Sequence, residues 1–189
     1  MLRYTTCICV LACGLGVSAA DDEITKLTIV PGPLVPKTTS VVFTAPESPA
    51  PGQKGHKPAT TITDFTKPIP LDGKVDVYVV TKGGIPVRLF KNWTPKKAEL
   101  KLGDYLGSVY VRGDDLPRAE AVVVTVTDDP GPSEKGHVPI QQANDYKVTM
   151  LVPPGYYAVW VKPDNGTRSQ KIADKIRVLA GRETQVPEE

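Results

Sequence analysis

The chain has 189 residues, with 23 Lys and Arg against 21 Asp and Glu and a formal net charge of +2. Charges of both signs are interspersed, with no basic stripe longer than Lys96-Lys97, so the electrostatic footprint of a nucleic-acid binder is missing. All three cysteines (Cys7, Cys9, Cys13) lie in the first twenty residues, which excludes a disulfide framework or a thiolate metal site in the remainder.

The N-terminus reads as a secretory signal peptide over residues 1–20. Arg3 supplies the positive n-region, an uncharged run follows from Tyr4, and small residues (Val17-Ser18-Ala19-Ala20) precede Asp21-Asp22-Glu23. The uncharged run falls short of the ~20 apolar residues that span a bilayer. A second reading cuts before Cys13, within Val10-Leu11-Ala12-Cys13, and leaves a lipid-anchored protein. The expected location is therefore secreted or periplasmic, with lipid anchoring through Cys13 as the alternative. No transmembrane segment is expected after signal removal.

Residues 21–71 are rich in proline and are expected to form an extended arm or linker. Two short β-prone runs, 24–30 and 38–45, read either as edge strands or as part of a loosely ordered arm, since proline at their borders suits an edge. Between 47 and 57 no apolar side chain is larger than alanine, so this stretch is expected to be an exposed loop.

From 72 to 187 the texture changes to short β-prone runs separated by turn residues, and a single β-sandwich domain is expected there. Val75, Val77 and Val79 alternate with Asp76 and Tyr78, as in a half-buried strand. Gly83-Gly84 then splits this run from Ile85, Val87 and Leu89, which is hairpin chemistry. Further strands are expected over 98–102, 105–111, 119–127, 146–152, 156–162 and 172–179. About eight strands at this spacing predict an all-β antiparallel β-sandwich with a proline-rich N-terminal extension. Pro153-Pro154-Gly155 predicts a type II turn with Gly155 at the positive-φ position. Tyr157, Val159 and Val161 are expected to share the inward face of the following strand.

The run Leu151-Val152-Pro153-Pro154-Gly155-Tyr156-Tyr157-Ala158-Val159-Trp160-Val161 resembles the signature of carboxypeptidase regulatory-like domains, L-x-P-P-G-x-Y-x-V-x-V. Gly107-Ser108-Val109 with Leu116-Pro117-Arg118-Ala119-Glu120-Ala121-Val122, and Ile176-Arg177-Val178-Leu179-Ala180-Gly181, resemble the family's opening and closing motifs. The resemblance covers roughly residues 105–186. It implies an Ig-like, transthyretin-like sandwich that serves as an accessory module in exported proteins and carries no catalytic residues.

The chemistry-bearing residues are few. His56 falls in the proline-rich segment and His137 in the long connection 128–144, and no nucleophile or metalloprotease motif accompanies either. The expectation is that the protein is not an enzyme and takes no cofactor; the alternative is an extracytoplasmic enzyme with a carboxylate- or metal-based site. Asp104, Asp128, Asp129 and Asp164 lie in turns that a strand-by-strand path would bring to one end. They read as turn formers or as calcium ligands. Trp93, Trp160 and Tyr156 are the candidates for ligand contact, since an exposed ring face stacks on a sugar. Trp160 is either a core residue or exposed, according to the register of its strand. Arg112-Gly113-Asp114 spells a receptor-read tripeptide in a predicted loop, although glycine-aspartate is also ordinary turn chemistry. The functional expectation is a non-catalytic binding or structural module that engages a protein or glycan of the cell envelope.

Overall fold

The computed structural model describes residues 26–187 apart from positions 72, 115 and 117. The signal peptide, the rival cleavage at Cys13 and the start of the first β-prone run lie outside the described residues. The protein is all-β, and its sheets are mostly antiparallel. Among the described residues the one helical element is a 3-10 turn at Leu102–Asp104. None forms a helix long and apolar enough to cross a membrane.

Among the described residues, fourteen strands form four sheets that pack as two sandwiches. In chain order the first seven are β1 (Lys26–Val30), β2 (Ser40–Thr44), β3 (Pro58–Ile62), β4 (Ile69–Pro70), β5 (Val75–Val80), β6 (Val87–Trp93) and β7 (Glu99–Lys101). They build sheets ordered β4-β1-β7 and β3-β2-β5-β6. Leu27 and Ile29 of β1, with Leu100 of β7, face Val41, Phe43, Val75, Val77 and Val79 across one apolar core. After the 3-10 turn come β8 (Gly107–Val111), β9 (Ala119–Val126), β10 (Gln141–Ala143), β11 (Met150–Val152), β12 (Gly155–Pro163), β13 (Gln170–Val178) and β14 (Glu183–Val186). These give sheets ordered β11-β8-β14 and β10-β9-β12-β13 around a second core that includes Val109, Val122, Val124, Val152, Tyr157 and Val159. The pairings of β1 with β7 and of β14 with β8 are parallel.

The expected division into an arm over 21–71 and one sandwich over 72–187 does not follow this packing. β2 is an internal strand, paired on one side with β3 and on the other with β5, and Val41 and Phe43 are fully buried. The prolines do not prevent this because they stand at strand borders. Pro58 opens β3 and Pro70 closes β4, both outermost in their sheets, where a missing N–H costs no ladder bond. The 47–57 stretch is, as expected, a mostly exposed loop, and it links β2 to β3.

The two sandwiches are joined by buried contacts. Met150 and Val152 of β11 belong to the second core, while Leu151 between them packs into the first. Alternate residues of a strand point to opposite faces, so this three-residue strand serves both cores. Gln141 of β10 is 1% exposed and spends its amide on the junction. Its Oε1 accepts from the Ile85 N–H at 2.6 Å, and its Nε2 donates to the carbonyls of Ile85 at 3.0 Å and Leu151 at 3.3 Å.

Candidate functional site

β6 lies at the edge of its sheet, and its register against β5 is irregular. Val79 faces Val87, Tyr78 faces Arg88, Val77 faces Phe90 and Val75 faces Trp93, so β6 carries extra residues in two places. In a regular strand, residues 90 and 93 would point to opposite faces. The second bulge turns both toward the side of Val75 and Val77. Asp76 fixes this bulge. Its carboxylate is 2% exposed and accepts the N–H of Asn92 at 2.7 Å, where Asn92 takes the left-handed φ of 50°.

The consequence is an aromatic cluster. Phe90 and Trp93 stack with ring centroids 4.7 Å apart and planes 12° from parallel. Tyr105, just past the 3-10 turn, meets Phe90 edge-on at 4.8 Å and 77°. Such stacked and T-shaped pairs contribute about 0.5–1.5 kcal/mol each beyond area burial. Phe90 and Trp93 are half-buried against the first core, while Tyr105 is 42% exposed. The cluster therefore has an anchored side and a side open to solvent.

Trp160 stands differently. Tyr157, Val159 and Val161 are buried in the expected register, which puts Trp160 on the opposite face of β12. It is neither a core residue nor an open platform. Its Nε1 donates to Thr125 Oγ1 at 3.1 Å, and Lys171 Nζ lies 4.9 Å from the ring centroid. The 128–138 connection folds over the indole so closely that a β-carbon on Gly131 would come within 2.7 Å of Cη2. The stacking face expected of Trp160 is thus covered by the chain's own loop. Tyr156, four residues earlier, is 53% exposed. Trp93 belongs to the other sandwich, so the three candidate residues do not form one site.

Asp129 holds that covering loop. Its Oδ1 accepts from Gly131 N–H at 2.8 Å and His137 Nδ1 at 2.7 Å, and its Oδ2 accepts from Val138 N–H at 2.8 Å. Burial disfavours the charged carboxylate, but the His137 bond, the two backbone N–H groups and the attraction of His137 outweigh it. Its pKa lies below the ordinary carboxylate value. Both oxygens are committed to the loop, so the pair acts as a loop staple.

The other acidic turn residues do not converge. Asp104 lies in the 3-10 turn between the sandwiches, Asp128 is exposed, and Asp164 is 3.4 Å from Arg118 Nε. Among the described residues, no three His, Cys, Asp or Glu side chains are placed to hold a metal ion. The Arg112-Gly113-Asp114 tripeptide is tied down at both ends: Arg112 Nη2 donates to Gln185 Oε1 at 2.6 Å, and Asp114 pairs with Lys147 at 3.0 Å.

The Pro153-Pro154-Gly155 segment corrects one further expectation. Gly155 is not among the positive-φ glycines; it is the first residue of β12, paired with Val178. Glycine eases a close approach there. Tyr157 donates its hydroxyl to the Pro153 carbonyl at 2.8 Å, and a β-carbon on Gly155 would sit 3.1 Å from that hydroxyl oxygen. The motif therefore ties the buried tyrosine back to the segment that precedes its own strand.

The aromatic cluster was missed at the level of sequence because its signal is a bulge. Phe90 and Trp93 are three apart in a strand, a spacing that reads as opposite faces until Asp76 and Asn92 are seen together. No family model matches the chain, and no curated protein and no solved structure is significantly similar to it.

Proposed function

We propose that the chain is an exported, non-catalytic binding or structural module that engages a protein or glycan of the cell envelope through Phe90, Trp93 and Tyr105. The observation that carries this reading is the half-anchored stack on edge strand β6, with the Tyr105 ring 42% exposed beside it. Aromatic rings fixed by neighbours present large contact area while losing little side-chain freedom on binding. The N-terminal signal features support export, to the periplasm or the surface, either free or anchored through Cys13. The resemblance of 105–186 to carboxypeptidase regulatory-like domains supports an accessory role. In this reading the second sandwich supplies a scaffold and the first presents the contact surface.

The test is capture of the purified full chain by native cell-envelope fractions, either untreated, protease-treated or stripped of glycan. Loss of capture after one of the two treatments identifies the partner class. Equal capture by uncoated support would refute the reading.

A further inference from the structure

A cleft of about 520 Å³ lies where the two sandwiches meet. One wall is the β5–β6 turn, Thr81 to Gly84; the other is the segment that leads from β10 through residues 144–149 to β11. Its size is in the range of about 300–1,000 Å³ typical of ligand sites, which favour such domain junctions.

Three features of the cleft point to one kind of occupant. First, β10 and β11 are the outermost strands of their sheets, in the orders β10-β9-β12-β13 and β11-β8-β14. Both reach the cleft, through Ala143 and Met150. An edge strand offers main-chain groups to an incoming extended chain. Second, the apolar lining is small and aliphatic. Ala143 and Met150 are buried, and Val148 is left 41% exposed on the wall. Thr38, Thr81 and Thr149 add hydroxyls around them, and no aromatic ring lines the space. Third, the cleft carries an exposed cation. Lys82, Lys147 and Asp145 line the cleft. Lys147 is engaged by Asp114, whereas Lys82, exposed on the turn, makes no ion pair among the described residues.

The cleft is also preformed. Gln141 bonds Ile85 just beyond the turn, and Leu151 packs into the first core on the other side. Gly84 sits so close to Gln141 that a β-carbon there would come within 2.8 Å of Oε1. Both walls are thus tied to the framework, which limits the binding energy lost to ordering the protein.

We propose that this cleft is a docking groove for an extended segment of a partner protein. The segment adds as a strand along the β10 and β11 edges, rests small aliphatic side chains on Ala143 and Met150, and places an acidic side chain against Lys82. This site is separate from the aromatic surface of the first sandwich and stands or falls independently of it.

The test is selection of a displayed random-peptide library on the immobilised full chain, followed by calorimetry of the enriched peptides. Two variants are compared, Thr149→Trp to fill the cleft and Lys82→Glu to invert the exposed charge. Enriched peptides should combine Val, Thr or Ala with Asp or Glu. They should lose about tenfold or more in affinity for Thr149→Trp. Lys82→Glu, on an exposed turn, should retain the wild-type unfolding midpoint and weaken binding about fivefold or more, with the preference shifting from acidic to basic peptides. The proposal is overturned if no peptide is enriched above bare support, if Lys82→Glu binds the enriched peptides as the wild type does, or if a folded Thr149→Trp protein does so. It is also overturned if binding is abolished by Tyr105→Ala instead, since that places the peptide on the aromatic surface.

Discussion

The side-chain amide of Gln141 takes the place of a neighbouring strand for Ile85, accepting its N–H at 2.6 Å and donating to its carbonyl at 3.0 Å. The two residues belong to different sandwiches, and the same amide also reaches the Leu151 carbonyl. One buried side chain thus satisfies main-chain groups on both sides of the junction, where an unpaired group would cost about 1–3 kcal/mol.

Gln141→Ala is therefore expected to destabilise the protein by on the order of 3 kcal/mol, because it orphans several buried groups at once. It should also split unfolding into two transitions, one for each core. Urea denaturation followed separately by near-UV and far-UV signals checks both. A single transition with an unchanged midpoint would show that Gln141 is not the coupling residue.

The 128–138 loop should respond to acid through Asp129. The folded-state pKa of this carboxylate lies below its ordinary value, so the unfolded chain binds the proton more readily. Its contribution to stability is fully present above the unfolded value of about 3.9 and is lost as pH falls through the lower folded value. Asp129→Asn should reduce stability at neutral pH and flatten the pH dependence below about pH 4. Gly131→Ala should lift the loop from Trp160, read as a red shift of indole emission in a Trp93→Phe background. An unchanged spectrum would mean that the loop does not cover the indole in solution.

In β12 the buried tyrosine should matter more than the tryptophan. Tyr157→Ala removes a 7%-exposed aromatic and should cost about 3–5 kcal/mol. Tyr157→Phe leaves only the Pro153 carbonyl without its donor and should cost about 1 kcal/mol. Trp160→Ala, on the face opposite the core, should fall below Tyr157→Ala. Chemical denaturation of the three variants gives the order directly. Trp160→Ala as the most destabilising change would reverse the facing of the strand.

Trypsin is expected to nick the exposed 47–57 loop after Lys54 without releasing the N-terminal piece, since Pro58 protects the bond after Lys57. β1 and β2 carry Leu27, Ile29, Val41 and Phe43 into the first core, so the two fragments should co-elute in size-exclusion chromatography under native conditions. Elution of the fragment that starts at Gly55 alone as a stable species would restore the picture of a dispensable arm.

Strands with period-two alternation could be read from the sequence. β5, β8 and β12 fall where Val75-Val77-Val79, Val109-Val111 and Tyr157-Val159-Val161 place them, and the Gly83-Gly84 hairpin follows from local turn chemistry. The strands that were not legible are short, polar or outermost: Pro58–Ile62, Gln141–Ala143 and Glu183–Val186 carry few apolar residues because they shield a sheet edge or bond across a junction. The proline-rich segment was misjudged because composition records how many prolines there are, and fold depends on where they stand. For the candidate site, Trp93 was visible as a residue but its partners were not. Phe90 reaches it through a bulge held by Asp76, and Tyr105 arrives from beyond another strand. The cover over Trp160 depends on Asp129 and Gly131 meeting β12 at long range, a contact that local pattern does not encode.

The binding reading is tested most directly by equilibrium binding of the full chain to its native cell-envelope fraction, comparing wild type, Tyr105→Ala and Trp160→Ala. Tyr105 is exposed at the aromatic cluster, whereas the Trp160 ring is covered by residues 128–138. The account predicts that Tyr105→Ala weakens binding about tenfold or more, as truncating a contact aromatic does, and that folded Trp160→Ala binds as the wild type. Wild-type affinity in Tyr105→Ala, with loss confined to Trp160→Ala, would contradict it.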